Sequence, residues 1–225
     1  MNETSKTLQL LTEQELRYLS GRGLDIGCGS DPVRVEVERF DVEHGDANRI
    51  SSFVTDLESF DYVFSSHCLE HMHDPKAALR EWWKLVKPGG VMIVIVPDED
   101  LYEQGYWPSL FNSDHKASFT ISKQASWSPV SRNLADLARC LSDADLMSLR
   151  LQDHDYKWTY LAPAVWPWHV ARFAVRVRNG LVHRVPFLRL PLRALYFALR
   201  LPIDQTEGGA TAQNIIVVAK RQRTA

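Results

Sequence analysis

Three cysteines in 225 residues, Cys28, Cys68 and Cys140, are too few and too scattered for a disulfide framework or a tetrahedral zinc site. Free thiols in a reducing cytoplasm are the expectation. The formal charge of only −2 excludes a chain coated in basic residues for wrapping nucleic acid, so no nucleic-acid partner is expected. The first twenty residues contain no apolar run of signal-peptide type and read as one short amphipathic helix. Residues 157–203 lack a single Asp or Glu. Their longest uncharged run, Trp158 to Ala171, is fourteen residues, short of the roughly 20 that span a bilayer as a helix.

What is present is an alternation of apolar runs and amphipathic stretches. Leu24 to Cys28 is a short apolar run ending in glycines, as a buried parallel strand ends before a ligand-binding turn. Val35 to Val42 alternates with a period of two and reads as a second strand. Asn48 to Leu57 looks helical, and Phe60 to Ser66 is a third strand. Asp74-Pro75 is an N-cap followed by proline at the first helical position, and that helix runs to Val86 before Lys87-Pro88-Gly89-Gly90 stops it. Val91 to Val96 is apolar on both faces, which predicts a central strand covered by helices. A helix over 131–141, a strand over 146–152 and a last strand over 214–219 complete the order. This predicts an α/β fold, a doubly wound, Rossmann-like, mostly parallel sheet. Gly29 and Asp41 are only twelve positions apart, so the first crossover is abbreviated, and a helical insert precedes the last strand. The expected organisation is an N-terminal helix (1–20), a core (21–156), the insert (157–203) and the closing strand and tail (204–225).

A sugar-bearing cofactor can approach backbone closely only where side chains are missing, which Gly27 and Gly29 provide. Asp25, just before that turn, can anchor loop amides or the cofactor's amino group. Asp41 ends the second strand, where a carboxylate commonly accepts ribose hydroxyls. Asp46-Ala47 offers a carboxylate to an adenine amino group and a small residue beside the ring, or else Asp46 caps the next helix. A dinucleotide dehydrogenase would want the full G-x-G-x-x-G, whose third glycine would fall at Pro32, and Pro32-Val33 stand where its helix should start.

The motifs LDIGCG (24–29), GDA (45–47), FDYVFSSHCLEH (60–71) and LVKPGGVMIVIVP (85–97), in that order, resemble class I S-adenosylmethionine (SAM)-dependent methyltransferases. More narrowly, they resemble the small-molecule branch labelled methyltransferase type 11. The resemblance implies SAM as cofactor, held by Asp25, Gly27, Cys28, Gly29, Asp41, Asp46 and Ala47, with Ser66 and His67 beside its methionine part. It departs at Asp31, where the family usually has a third glycine, and at the missing helix of the first crossover.

Methyl transfer from a sulfonium is an in-line displacement, so the protein must orient the acceptor and, for a hydroxyl, take its proton. Two places at the carboxyl edge of the sheet offer a base. His67 and His71 are spaced i, i+4 and would share a helical face; His71 serves either as base or as a loop brace. After the central strand, a run of polar and aromatic groups from Asp98 to Lys116 suits a hydroxylated acceptor, with His115 beside Asp114 the favoured base. Asp114 could equally pair with Lys116. His67, His71 and His73 in one loop are not a defined metal signature, and no metal is expected. The enzyme reading is therefore O-methylation of a small molecule or glycan, lipid-linked or envelope polysaccharide included; a non-catalytic SAM-binding regulatory or assembly protein is the alternative.

The acid-free stretch carries eight cations, Lys157 and seven arginines, while the rest of the chain sets 18 cations against 28 acids, a net of −10. Its clearest helix is Val170 to Leu181, and Pro191 marks the start of a second that leaves Arg189 outside. Three partners fit such a basic, aromatic-rich segment: an anionic membrane at its inner face, a second copy in a homodimer, or an acidic acceptor.

Overall fold

The computed structural model describes residues 3–161 and 164–223. The N-terminal stretch forms two short helices, α1 (Glu3–Leu8) and α2 (Glu13–Tyr18), in place of the single helix expected. Thr12 divides them: its side chain accepts the Glu15 amide while the Glu15 carboxylate accepts the Thr12 amide, a reciprocal cap that restarts the helix.

Six strands make the main sheet: β1 (Gly23–Ile26), β2 (Glu38–Phe40), β3 (Phe60–Ser66), β4 (Val86–Pro97), β7 (Ala144–Gln152) and β8 (Gln213–Lys220). Their order is β2-β1-β3-β4-β8-β7, and β8 alone runs antiparallel to its neighbours. This is the mostly parallel, Rossmann-like sheet expected, and β1 departs to β2 on one side and to β3 on the other. The order therefore reverses at β1, and the crevice beyond its carboxyl end is where ligands bind in such folds.

The apolar strands alternate between the two faces as a doubly covered sheet requires. Met92, Val94, Val96, Ile216 and Val218 pack under α3 (Pro75–Trp83) and α4 (Leu134–Arg139). Ile93, Ile95, Ile215 and Val217 pack beneath Leu11 and Leu19 of the N-terminal segment and beneath Val33 and Val37 of the first crossover. No helix fills that crossover, as its length predicts.

Several boundaries differ from the local patterns. Only Glu38–Phe40 of the alternating run pairs with β1, because β1 itself is four residues long; Val35 and Val42 are 87% and 85% exposed. Ala47–Ser52 forms a tight 3-10 turn, kinked at Arg49, where a longer helix was expected. Residues 87–90 do not leave the sheet but bulge within β4, between the pairs Phe60–Val86 and Tyr62–Val91. Ser131–Asn133 is a strand, β6, paired with β5 (Ser118–Thr120), and Asn133 then caps α4 through the Ala135 amide.

The basic segment is helical: α5 (Trp168–Arg184) and α6 (Arg189–Ala198). Pro191 lies inside the first turn of α6, and Arg189 opens that helix where it was expected to lie outside. The segment is tied to the core by Ala171 and Val175 against Tyr106 and Leu110, and by the Trp168 indole donating to the Pro108 carbonyl at 2.6 Å.

Candidate active site

Two adjoining clefts open at the carboxyl edge of the sheet, and His71 forms a wall of both. The larger, about 550 Å³, is lined by Gly27, Phe40, Asp41, Asp46, Ala47 and Cys68 among others. That volume suits one drug-sized ligand.

Gly27 turns the chain with φ +75°, and a Cβ there would stand 2.6 Å from the Cys68 Cβ, so both conformation and space demand glycine. Gly29, φ +52°, has open space where its Cβ would be; it is required by its conformation alone. Its amide donates to Asp41 Oδ2 at 2.5 Å, while Asp41 Oδ1 accepts the Val42 amide at 2.7 Å. The Asp41 carboxylate thus clamps the glycine turn to the end of β2 and still borders the cleft.

Asp25 anchors a loop amide, one of the two roles weighed for it. It is 1% exposed, lies behind the turn, and accepts the Val33 amide at 2.7 Å, which holds the helix-free crossover against the sheet. Burial, with Asp31 and Asp41 nearby, pushes its carboxyl up to about 7. A raised native pKa means that this group's stabilisation is complete below the ordinary value of 3.8 and is lost as pH rises towards 7. Asp25→Asn keeps the acceptor without the ionisation. Its melting temperature relative to wild type is expected to climb between pH 4 and 7, and parallel profiles in thermal melts would contradict this assignment.

Asp31, at the place of the missing third glycine, accepts the Ser5 amide at 2.7 Å and the Ser5 hydroxyl at 2.5 Å. The departure from the usual motif ties α1 onto the turn. Cys28 is buried behind the loop, its thiol pushed up to about 11 by burial. Asp46 caps the following turn through the Asn48 amide at 2.9 Å, one of the two roles weighed for it, and it also lines the cleft. Phe40 and Met72, which local patterns did not single out, supply apolar walls; the signal for Phe40 was its place immediately before Asp41.

The β3 edge also departs from expectation. His67 has φ +56° and ends the strand in a left-handed turn, so it shares no helical face with His71. Its Nε2 meets Gln213 Oε1 at 2.8 Å, in the smaller cleft rather than the larger. Ser66 is buried and lines neither cleft, and its Oγ has no hydrogen-bond partner.

The smaller cleft, about 240 Å³, brings together His67, Glu70, His71, Tyr102, His115 and Gln213. Asp114 does not partner its neighbour in sequence, His115. Instead Asp114 Oδ2 lies 2.9 Å from His71 Nδ1 and Oδ1 lies 3.5 Å from Lys116 Nζ. His115, buried, places Nδ1 2.7 Å from Glu103 Oε1. The acids after β4 divide the work: Asp98 caps the wide turn Glu99–Glu103, Glu99 accepts the hydroxyls of Ser126 and Ser131, and Glu103 backs His115. Glu70 lies within the FDYVFSSHCLEH motif and Glu103 within the polar run from Asp98 to Lys116.

The larger cleft meets the demands of SAM with groups of this chain: a glycine turn that a Cβ would block, a carboxylate at the end of β2, and two acids, Asp41 and Asp46, facing a ligand of positive sulfonium charge.

A family model described as a methyltransferase domain matches residues 4–174. Phosphoethanolamine N-methyltransferase 2 of Caenorhabditis elegans is 30% identical over 91 residues, covering 37% of this chain and 19% of that protein, so the match spans about a fifth of its relative's length. Among solved structures, a SAM-dependent methyltransferase from Archaeoglobus fulgidus superposes with a TM-score of 0.51 at 16% identity, covering 97% of this chain and 95% of its own. The Haemonchus contortus phosphoethanolamine N-methyltransferase 2, in complex with phosphomonomethylethanolamine and S-adenosylhomocysteine, gives 0.52 at 13% identity, covering 98% and 53%. At these identities the structural likeness is one of fold. With the family model accounting for the chain from α1 into α5, the protein belongs to the methyltransferase-domain family and has the fold of its class I, SAM-dependent members.

Proposed function

We propose that this chain transfers a methyl group from SAM to a hydroxyl of a small-molecule or glycan acceptor seated in the smaller cleft. SAM supplies an activated methyl group on its sulfonium. Gly27, Gly29 and Asp41 hold it in the larger cleft, and the acceptor approaches across the wall formed by His71. The observation that carries the reading is that shared wall: His71 borders both clefts, and both His71 and His115 set Nδ1 against a carboxylate. Each ring then has Nε2 available toward an acceptor, and the carboxylate stabilises whatever positive charge the ring acquires.

The test is mass-shift screening of cell extracts with labelled SAM. A hydroxylated product one methyl heavier is expected, and His71→Ala and His115→Ala should lose turnover while keeping SAM affinity within a few fold. Calorimetric SAM binding with no product from any fraction would favour the non-catalytic regulatory or assembly reading instead.

A second observation favours a membrane-bound acceptor. Residues 157–203, read as a unit of their own on the core of 21–156 and 204–225, leave Phe173, Phe187 and Leu190 69%, 80% and 75% exposed among arginines. No helix among the described residues is long and apolar enough to cross a membrane, so such a segment would lie in the interface. Each basic residue near an anionic surface adds about 1 kcal/mol. The protein should float with anionic vesicles and not with neutral ones, and Phe187→Asp with Leu190→Asp should abolish flotation. Failure to float, with sedimentation at twice the chain mass, would assign the face to a homodimer.

A further inference from the structure

Glu70 is a buried carboxylate that the methyl-transfer reading leaves without work. It is 1% exposed, and neither oxygen accepts a hydrogen bond; the ring of His67 stands beside it, Nδ1 3.4 Å from Oε1. Ionised carboxylates removed from water cost several kcal/mol unless a counter-charge or hydrogen bonds replace their hydration. Beside it stand His71 and His115, their rings edge to face at a centroid distance of 5.1 Å. One ligand atom from each of Glu70, His71 and His115 lies within 4.8 Å of the others.

We propose that Glu70, His71 and His115 form a binding site for a first-row divalent transition-metal ion at the floor of the smaller cleft. Two imidazoles and one carboxylate are a donor set for Zn²⁺ and for other metals of the first transition row, and they leave coordination positions open to a substrate. The outer contacts fit as well. A ligating histidine almost always gives its second ring N–H to a carboxylate or carbonyl. Here His115 Nδ1 meets Glu103 at 2.7 Å and His71 Nδ1 meets Asp114 at 2.9 Å. Those contacts fix the tautomer in which each Nε2 keeps its lone pair. Ligand atoms about 2.1 Å from a tetrahedral ion are roughly 3.4 Å apart. Lying within 4.8 Å of one another, the three groups need to draw in by at most roughly 1.4 Å, within the reach of side-chain torsions.

The expectation of no metal considered only histidines of one loop. The third ligand instead comes from His115, 44 positions beyond His71, and the carboxylate from Glu70 between the loop histidines. The use of such an ion, to hold an acceptor through oxygen, rests on the function proposed above; the two histidines then serve as ligands in place of bases. The binding itself does not rest on it.

Chelator-stripped full-length protein titrated with Zn²⁺ by calorimetry is expected to bind one ion per chain, and with Co²⁺ to develop visible d–d absorption. Glu70→Gln, which preserves shape, should weaken Zn²⁺ at least a hundredfold and abolish the Co²⁺ bands. Asp114→Asn should weaken Zn²⁺ about 10- to 100-fold, the usual cost of losing an outer-shell partner. His154→Ala, an exposed histidine away from the cleft, should change nothing. Because Glu70→Gln could disturb the fold, its SAM affinity is measured alongside, and retention within a few fold certifies the variant. Equal Zn²⁺ binding by wild type and a certified Glu70→Gln, or wild-type binding weaker than about 100 µM, overturns the site. Should Glu70→Gln lose SAM as well, His115→Gln carries the same comparison. Tight Zn²⁺ binding supports the site even where turnover is unaffected by chelation, and that second result would overturn only the ion's part in the reaction.

Discussion

Replacing Asp41 with alanine is expected to weaken SAM binding by about a hundredfold or more while the fold survives. Its carboxylate has two duties at one place. It accepts the Gly29 and Val42 amides at 2.5 and 2.7 Å, fixing the glycine turn against β2, and it borders the cleft where a ribose would sit. A hydrogen bond to a charged group contributes about 1.5–3 kcal/mol, so losing the equivalent of one or two amounts to roughly 3 kcal/mol, or about a factor of a hundred in Kd. The side chain is partly exposed at an edge strand, so its removal opens no core cavity. Asp41→Asn retains one acceptor and should fall between. Calorimetry with SAM decides the matter, and an Asp41→Ala affinity within threefold of wild type would remove Asp41 from the cofactor site.

Trp82→Ala acts through the core and should cost about 3–5 kcal/mol of stability, the range for deleting a buried aromatic side chain. Trp82 is 0% exposed in the cluster beneath α3, and its indole N–H donates to the Ala47 carbonyl at 2.9 Å. The side chain therefore joins α3 to the turn that lines the larger cleft. For a chain of this size the loss should lower Tm by roughly 10 °C. Trp82→Phe keeps most of the packing but leaves the Ala47 carbonyl without its donor, a loss of about 1–3 kcal/mol. Calorimetric melts of the two variants separate these contributions. A drop of less than about 1 kcal/mol in Trp82→Ala would mean that α3 and the 47–52 turn are not coupled as described.

The elements legible in the residues are those whose cause is local. Phe60 to Ser66 and Val91 to Val96 are strands because apolar runs of that length must be buried on both faces, and Asp74-Pro75 opens α3 because capping and fixed φ act within one turn. The glycine turn and Asp41 belong with these, since a left-handed φ and a carboxylate twelve positions later need only a strand pair to meet. Where a partner had to arrive from elsewhere, local pattern failed. Val35 to Val42 has the period of a strand, yet β1 offers only four residues to pair with it.

The acceptor side shows the same limit more sharply. Asp114 and His115 are adjacent in the chain, which suggests a pair, but successive side chains point in different directions. Folding turns Asp114 to His71 and His115 to Glu103. The amino-acid sequence by itself determined the central strands and the glycine turn, because each follows from neighbours within a few residues, and the four motifs in their order implied the cofactor. Only the tertiary structure decided which carboxylate backs which histidine and that Glu70 lies buried between them, because those contacts depend on how the loops after β3 and β4 wrap over one edge of the sheet.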